Sequence, residues 1–176
     1  MAERTMLSLR KATAADVPLI LEFIRALAAF EREPDAVTAT EAGLLRDGFG
    51  AQPYYFCLIA EWDGQPAGFA LYFYNYSTWT GRPGIHLEDI YVHTEMRGRG
   101  IGKALLAQVA AVAREQGCPR LQWQVLDWNT PAVDFYRSLG GKFLDEWRNV
   151  RMEPEAIGRL AELAPGLTPG VGGDAA

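Results

Sequence analysis

Leu87-Glu88-Asp89-Ile90-Tyr91-Val92-His93, followed by Arg97-Gly98-Arg99-Gly100-Ile101-Gly102-Lys103 and a run on to Glu115, is the stretch that decides the fold. Its first part reads as a strand and its last as an amphipathic helix, so a glycine-rich turn opens the helix. Such a turn aims several backbone N–H groups in one direction, and the positive end of the helix adds to them. Glycine lets the backbone approach a ligand closely, so the loop reads as a cradle for phosphate oxygens. Arg97, Arg99 and Lys103 add full positive charges. The spacing narrows the choice of phosphate ligand. A Walker loop requires Lys-Ser or Lys-Thr after its last glycine, but Gly102 is followed by Lys103-Ala104. A dinucleotide fingerprint requires glycine at position 103. What remains is Arg-x-x-Gly-x-Gly between a strand and a long helix.

The 176 residues suffice for one domain with a sizeable core. A hydrophobic fraction of 49% and a charged fraction of 22% are ordinary for a soluble protein. The net charge of -5 argues against a general nucleic-acid binder but not against a polyanionic small molecule, which responds to the local field of its pocket. Cys57 lies in an apolar run, Tyr54 to Ile59, and reads as a buried structural thiol. Two cysteines and two histidines, none at ligand spacing, give no metal site to propose. The first thirteen residues lack an apolar signal core and no stretch is apolar enough to span a bilayer, so the expected location is the cytoplasm.

Outward from the central stretch, strands and helices alternate. Met6 to Arg10 reads as a strand, and Thr13-Ala14-Ala15-Asp16 as a capping box before a helix with Ile20, Phe23, Ile24 and Leu27 on one face. Thr38-Ala39-Thr40-Glu41 opens a shorter helix stopping at Gly48. Tyr54 to Trp62 and Pro66 to Tyr76 read as a hairpin closed by Asp63-Gly64. Leu121, Trp123 and Val125 alternate as a strand, and Thr130-Pro131 starts a helix ending at Gly140-Gly141. Phe143 to Met152 supplies one or two closing strands, and Pro154 to Leu163 a short helix. The expected architecture is α/β: a mixed, twisted sheet with helices on both faces, in the order β-α-α-β-β-β-α-β-α-β. A single domain covers residues 1–163. Residues 164–176, rich in Gly, Pro and Ala, are expected to be disordered.

The glycine loop resembles the pyrophosphate loop of the GNAT superfamily of acetyl-CoA-dependent N-acetyltransferases, whose fold has this element order. Longer segments resemble one branch, the spermidine/spermine and thialysine N-acetyltransferases. They are Leu44-Leu45-Arg46-Asp47-Gly48-Phe49-Gly50, Gly68 to Phe73, Leu87 to Val92, and Trp128-Asn129-Thr130-Pro131 leading to Phe135-Tyr136. The resemblance spans roughly Leu9 to Met152.

Acetyl transfer to an amine poses two proton problems. An alkylammonium with pKa near 10.4 has about one neutral molecule in 2,500 at pH 7, a cost of about 4.6 kcal/mol unless the site removes the proton. The departing thiolate must then be protonated. A carboxylate suits the first task and a phenol the second. The resemblance implies Glu88 as base and Tyr136 as general acid near the thioester sulfur. Asp89 falls on the opposite face of a regular strand and reads as structural unless a bulge re-aims it. Neither cysteine has a histidine partner in local sequence, and the resemblance likewise implies direct attack by the amine.

The resemblance also implies how the acetyl-CoA co-substrate is held. Its pantothenate arm pairs with Ile90, Tyr91 and Val92, and its pyrophosphate meets Arg97, Gly98, Arg99, Gly100, Ile101, Gly102 and Lys103. Asn129, Thr130, Pro131, Ala132 and Tyr136 contact the arm. For the cationic amine it implies Glu31, Glu88, Trp79 and Trp147, with Gln122, Trp123 and Gln124 on a neighbouring strand. It further implies a homodimer, with neither nucleic acid nor membrane as partner. Where the polyamine enzymes have Asp-Pro-Trp, this chain has Ser77-Thr78-Trp79, which removes a negative charge from the acceptor channel. That favours a shorter amine such as thialysine, another diamine or an amino acid. Two alternatives stay open: an acetyltransferase for a protein or antibiotic amine, and a non-catalytic acyl-CoA-binding module.

Overall fold

The turn Asp63-Gly64 has positive φ at both residues, 51° and 76°, the turn geometry that matches the twist of hairpin strands. It joins β2 (Phe56–Trp62) to β3 (Gln65–Ser77), as the dipeptide predicts. The computed structural model describes residues 7–167, so Met6 of the first expected strand and residues 168–176 of the expected tail lie outside the described residues. The sheet has five strands in chain order, with β1 (Leu7–Lys11) at one end, then β2, β3, β4 (Arg82–Val92) and β5 (Leu121–Gln122). Its pairings are antiparallel except the last, β4 with β5, which is parallel. A parallel pair needs a crossover, and α3 (Ile101–Glu115) supplies it.

Two helices precede the hairpin, α1 (Val17–Phe30) and α2 (Glu41–Phe49). Thr13 N–H donates to Asp16 Oδ2 at 2.7 Å, the capping contact read from the sequence. Asp16 also takes a two-pronged ion pair from Arg10, both contacts 2.8 Å, which holds its carboxyl well below the usual range. The cap of α2 is Thr40 rather than Thr38: its hydroxyl accepts from Gly43 N–H at 3.1 Å. On one face of the sheet, Ile20 and Phe23 of α1 pack with Cys57, Ile59, Phe69, Leu71 and Tyr91. Phe23 stacks on Phe69 with centroids 5.3 Å apart. The alternate residues Leu58, Ala60 and Ala70 are buried as well. They face the other way, where α3 packs on β2, β3 and β4 with Ile101, Leu105 and Val109 fully buried.

The chain divides into two units, Met1–Leu126 and Asp127–Ala176. The second carries α4 (Thr130–Ser138) and α5 (Pro154–Ala161). Two expectations fail here. The strand read over Leu121 to Val125 is only two residues long, because β4 bulges just beyond the paired residues and a bulge bends its strand away from a neighbour. Residues 143–152 form no strand. Their alternation suits a sheet surface, but the segment turns on itself, with Trp147 N–H donating to Leu144 O at 3.1 Å, and side-chain pattern alone does not make a strand.

Candidate active site

A bulge in β4 places two acidic residues together. In the β3–β4 ladder Leu71 pairs with Asp89 but Tyr72 pairs with Leu87, so Glu88 is the extra residue on β4. Asp89, opposite Leu71, therefore faces α1. Glu88 lies on that same side, since its Oε2 is 3.6 Å from Nε2 of His86, and His86 pairs with Phe73, which shares the parity of Leu71. A regular strand would have placed Glu88 and Asp89 on opposite faces. Glu31, the residue that ends α1, completes the group.

Asp89 senses the other two carboxylates. Asp89 is pushed up to about 7, mainly by burial and then by the charges of Glu88 and Glu31. Burial also raises Glu31. Among the described residues, no cation pairs with Glu31 or Asp89. A half-buried carboxylate cluster lacking a counter-charge attracts a cation from outside. The sequence puts Asp89 on the face opposite Glu88 unless a bulge re-aims it, and the register shift of β4 is such a bulge. No local sequence signal marks the bulge, because it is a property of the pairing with β3.

Beyond His86, β4 has no neighbour on its β5 side among the described residues, because the parallel ladder ends at Ile85–Leu121 and His86–Gln122. The backbone of Ile90, Tyr91 and Val92 thus borders an open edge that an extended amide chain can join. The edge leads to the glycine loop. Gly98 and Gly100 have φ of 76° and 80°, and a Cβ at either would meet open space. Gly100 caps α3 without any side-chain hydrogen bond, so the first N–H groups of the helix, those of Ile101, Gly102 and Lys103, have no capping acceptor. These are the features of an anion cradle. The side chain of Arg97 is engaged within the fold. Its Nε donates to Val92 O at 3.0 Å and its guanidinium lies over the rings of Phe30, at 4.4 Å, and Tyr91, at 5.6 Å. It thereby ties the loop to β4 and to the end of α1. Arg99 lies over Trp62 at 5.2 Å.

Other expected residues are placed as follows. Gln122 Oε1 accepts from Asn75 Nδ2 at 3.2 Å, so one of its polar ends is engaged within the sheet. Trp123 and Gln124 fall beyond the end of β5. Trp79, on the β3–β4 connection, is 89% exposed and Trp147 is 67% exposed, so neither is a core residue. In the second unit Asn129, not Thr130, caps α4: its Oδ1 accepts from Ala132 N–H at 3.4 Å, with a proline in the first turn. Tyr136 is buried on α4. The Cys57 thiol is held far above its usual range by burial, which unfits it as a nucleophile. A cavity of ≈ 330 Å³ at the start of β2 is lined by Phe49, Tyr55, Cys57 and Tyr72 among others, and by none of the three carboxylates. It is not the acid cluster's pocket. Among the described residues, no helix is long and apolar enough to cross a membrane.

A mixed sheet whose fourth strand runs open-edged into a glycine-rich helix N-terminus fits an acyltransferase of the acetyl-transferring class. The chain belongs to the acetyltransferase (GNAT) family, whose model matches residues 21–141. It is 45% identical over 164 residues to thialysine N-epsilon-acetyltransferase of Sus scrofa, covering 87% of this chain and 96% of that protein. It is 38% identical over 159 residues to the spermidine/spermine N(1)-acetyltransferase-like protein 1 of Homo sapiens, covering 85% of this chain and 23% of that longer protein. Among solved structures, an integron cassette protein from the mobile metagenome of V. cholerae has the same fold, with a TM-score of 0.73 at 24% identity over 89% of this chain and 98% of that one.

Proposed function

We propose that this acetyltransferase moves the acetyl group of acetyl-CoA directly to the primary amine of a small cationic acceptor, in the class of thialysine, diamines and polyamines. The observation that carries the reading is the cluster Glu31, Glu88 and Asp89, in which no lysine or arginine pairs with Glu31 or Asp89 among the described residues. The full-length likeness to a thialysine N-epsilon-acetyltransferase supports it. The residues of the glycine loop suit the diphosphate of CoA, the open edge of β4 suits its amide arm, and CoA supplies the acetyl thioester when bound. In this reading Glu88 takes the proton of the ammonium, the freed amine attacks the thioester carbon, Tyr136 protonates the departing sulfur, and the second proton leaving the nitrogen as the amide forms restores the phenol through solvent. An acceptor screen with acetyl-CoA tests it: turnover with thialysine or a diamine, and little with protein N-termini or aminoglycosides, is the expected result. Turnover confined to a protein or antibiotic amine would overturn the acceptor class, and CoA binding with no acetyl transfer at all would favour the binding-module alternative.

The working unit in this reading is a cytoplasmic homodimer with neither nucleic acid nor membrane as partner. Exposed Leu144, Trp147, Val150, Ile157 and Leu160 in the second unit support a second copy. A monomeric mass at micromolar concentration would overturn the dimer.

The raised Asp89 carboxyl gives the acceptor site a pH signature. With an empty-site value of about 7, Asp89 is partly protonated at neutral pH. A bound ammonium favours its ionised form, so binding releases a proton below about pH 7. Acceptor affinity should therefore rise from pH 5.5 to about 7.5 and then level off. Calorimetry in two buffers of different ionisation enthalpy reads the proton release directly, and affinity flat across that range would remove Asp89 from the site. The stability sign is opposite. A carboxyl raised from 3.8 to about 7 penalises the empty folded state increasingly as pH climbs through that interval. Asp89→Asn should thus raise Tm by about 2–4 °C at pH 8 while raising the acceptor KM about tenfold.

A further inference from the structure

His86 has no role in the functional reading so far, yet it is the partner given to Glu88. Glu88 sits on a bulge with 56% of its side chain exposed, whereas the side chain of His86 is 22% exposed. Holding a long, exposed glutamate in one pose costs rotamer entropy, so an unassisted Glu88 would spend much of its time misaimed. The imidazole is itself held. Its ring stacks on Phe73 from the facing residue of β3, centroids 5.0 Å apart and planes 29° apart. Its Nε2 stands 3.6 Å from Glu88 Oε2, within ion-pair range and slightly longer than a formed hydrogen bond. Catalytic contacts are commonly this loose before substrate arrives.

We propose that His86 is a positioning residue, which rests on Glu88 being the base: its Nε2–H holds one carboxylate oxygen and leaves the other for the ammonium proton. The choice of residue has an electrostatic logic. Lysine or arginine at this place would hold the carboxylate equally well, but would put a permanent cation into a site for a cationic acceptor. An imidazole can donate the same hydrogen bond through Nε2–H without carrying a permanent charge, which leaves the carboxylates of the cluster available to the amine. Phe73 is the support, since its ring fixes the plane in which the imidazole points.

The test uses the full-length protein with acetyl-CoA and thialysine. His86→Phe preserves stacking on Phe73 and removes the donor. It should lower kcat about 10–100-fold, the cost of a misaimed catalytic group, with thialysine KM and CoA affinity within about twofold of wild type. His86→Gln, which returns an N–H at similar reach, should recover most of the loss. In a Glu88→Gln background, His86→Phe should have no further effect. Independently of turnover, the 15N resonances of the His86 ring should move on Glu88→Gln. Wild-type kcat in His86→Phe, the same loss in both backgrounds, or ring resonances indifferent to Glu88→Gln would each overturn the assignment. Wild-type turnover in Glu88→Gln itself would instead show that Glu88 is not the base.

Discussion

Tyr136→Phe is expected to lower kcat by about 10²–10⁴-fold while leaving the fold and CoA affinity unchanged, because general acid catalysis is typically of that size. In free energy this is roughly 3–5 kcal/mol of barrier. The main-chain carbonyl of Tyr136, not its hydroxyl, closes the end of α4, accepting from Leu139 N–H at 3.2 Å and from Gly141 N–H at 3.0 Å. Removing the hydroxyl leaves those bonds in place. A tyrosine with a purely structural role would behave differently, losing about 1 kcal/mol of stability with turnover nearly intact. Thermal melts and single-turnover rates separate the two. Wild-type kcat combined with a lowered Tm would make Tyr136 a core residue and end its catalytic assignment. Glu88→Gln supplies the contrast. Its defect should shrink as pH rises toward 10, where solution itself provides the neutral amine, whereas the Tyr136→Phe defect should persist.

Gly100→Val should weaken CoA binding by about 10²–10⁴-fold, the equivalent of losing two hydrogen bonds to a charged group at about 1.5–3 kcal/mol each. Two physical effects combine. At φ of 80° a β-branched residue is strained, so the loop must shift and take the N–H groups that open α3 with it. The new side chain would also project into the open space around Gly100, where the proposed diphosphate lies. Gly64→Val is the matching control, since Gly64 also has positive φ and open surroundings but closes the β2–β3 hairpin. It should lower stability and leave CoA affinity unchanged. Calorimetry showing wild-type CoA affinity in Gly100→Val would refute the reading of the loop as a diphosphate cradle.

Most of the fold was legible because its signals are local. Asp63-Gly64 requires a particular turn whatever surrounds it, and Thr13 and Asp16 satisfy each other across three residues. The glycine loop is likewise fixed by backbone freedom at Gly98 and Gly100 within one short segment. The expectations that failed were not of this kind. Residues 143–152 have a strand-like alternation but no ladder, and the strand from Leu121 stops after Gln122. Both depended on a partner strand that no single segment can specify.

The site divides along the same line. By itself the sequence determined which groups exist: a glycine-rich helix start flanked by cations, a glutamate and an aspartate side by side, and a tyrosine on a helix after Asn129. Only the tertiary structure decided how those groups are arranged. The register of β4 against β3 places one extra residue at Glu88, and that turns Glu88 and Asp89 to one side. The packing of α1 on that face then brings Glu31 within electrostatic reach and drives Asp89 to about 7. The same packing directs Arg97 onto Phe30 and Tyr91 instead of leaving it free in the loop. Hydrogen-bond register and burial are properties of pairs of distant segments. They arise from the free energy of the assembled sheet and helix, so no reading of one segment at a time contains them.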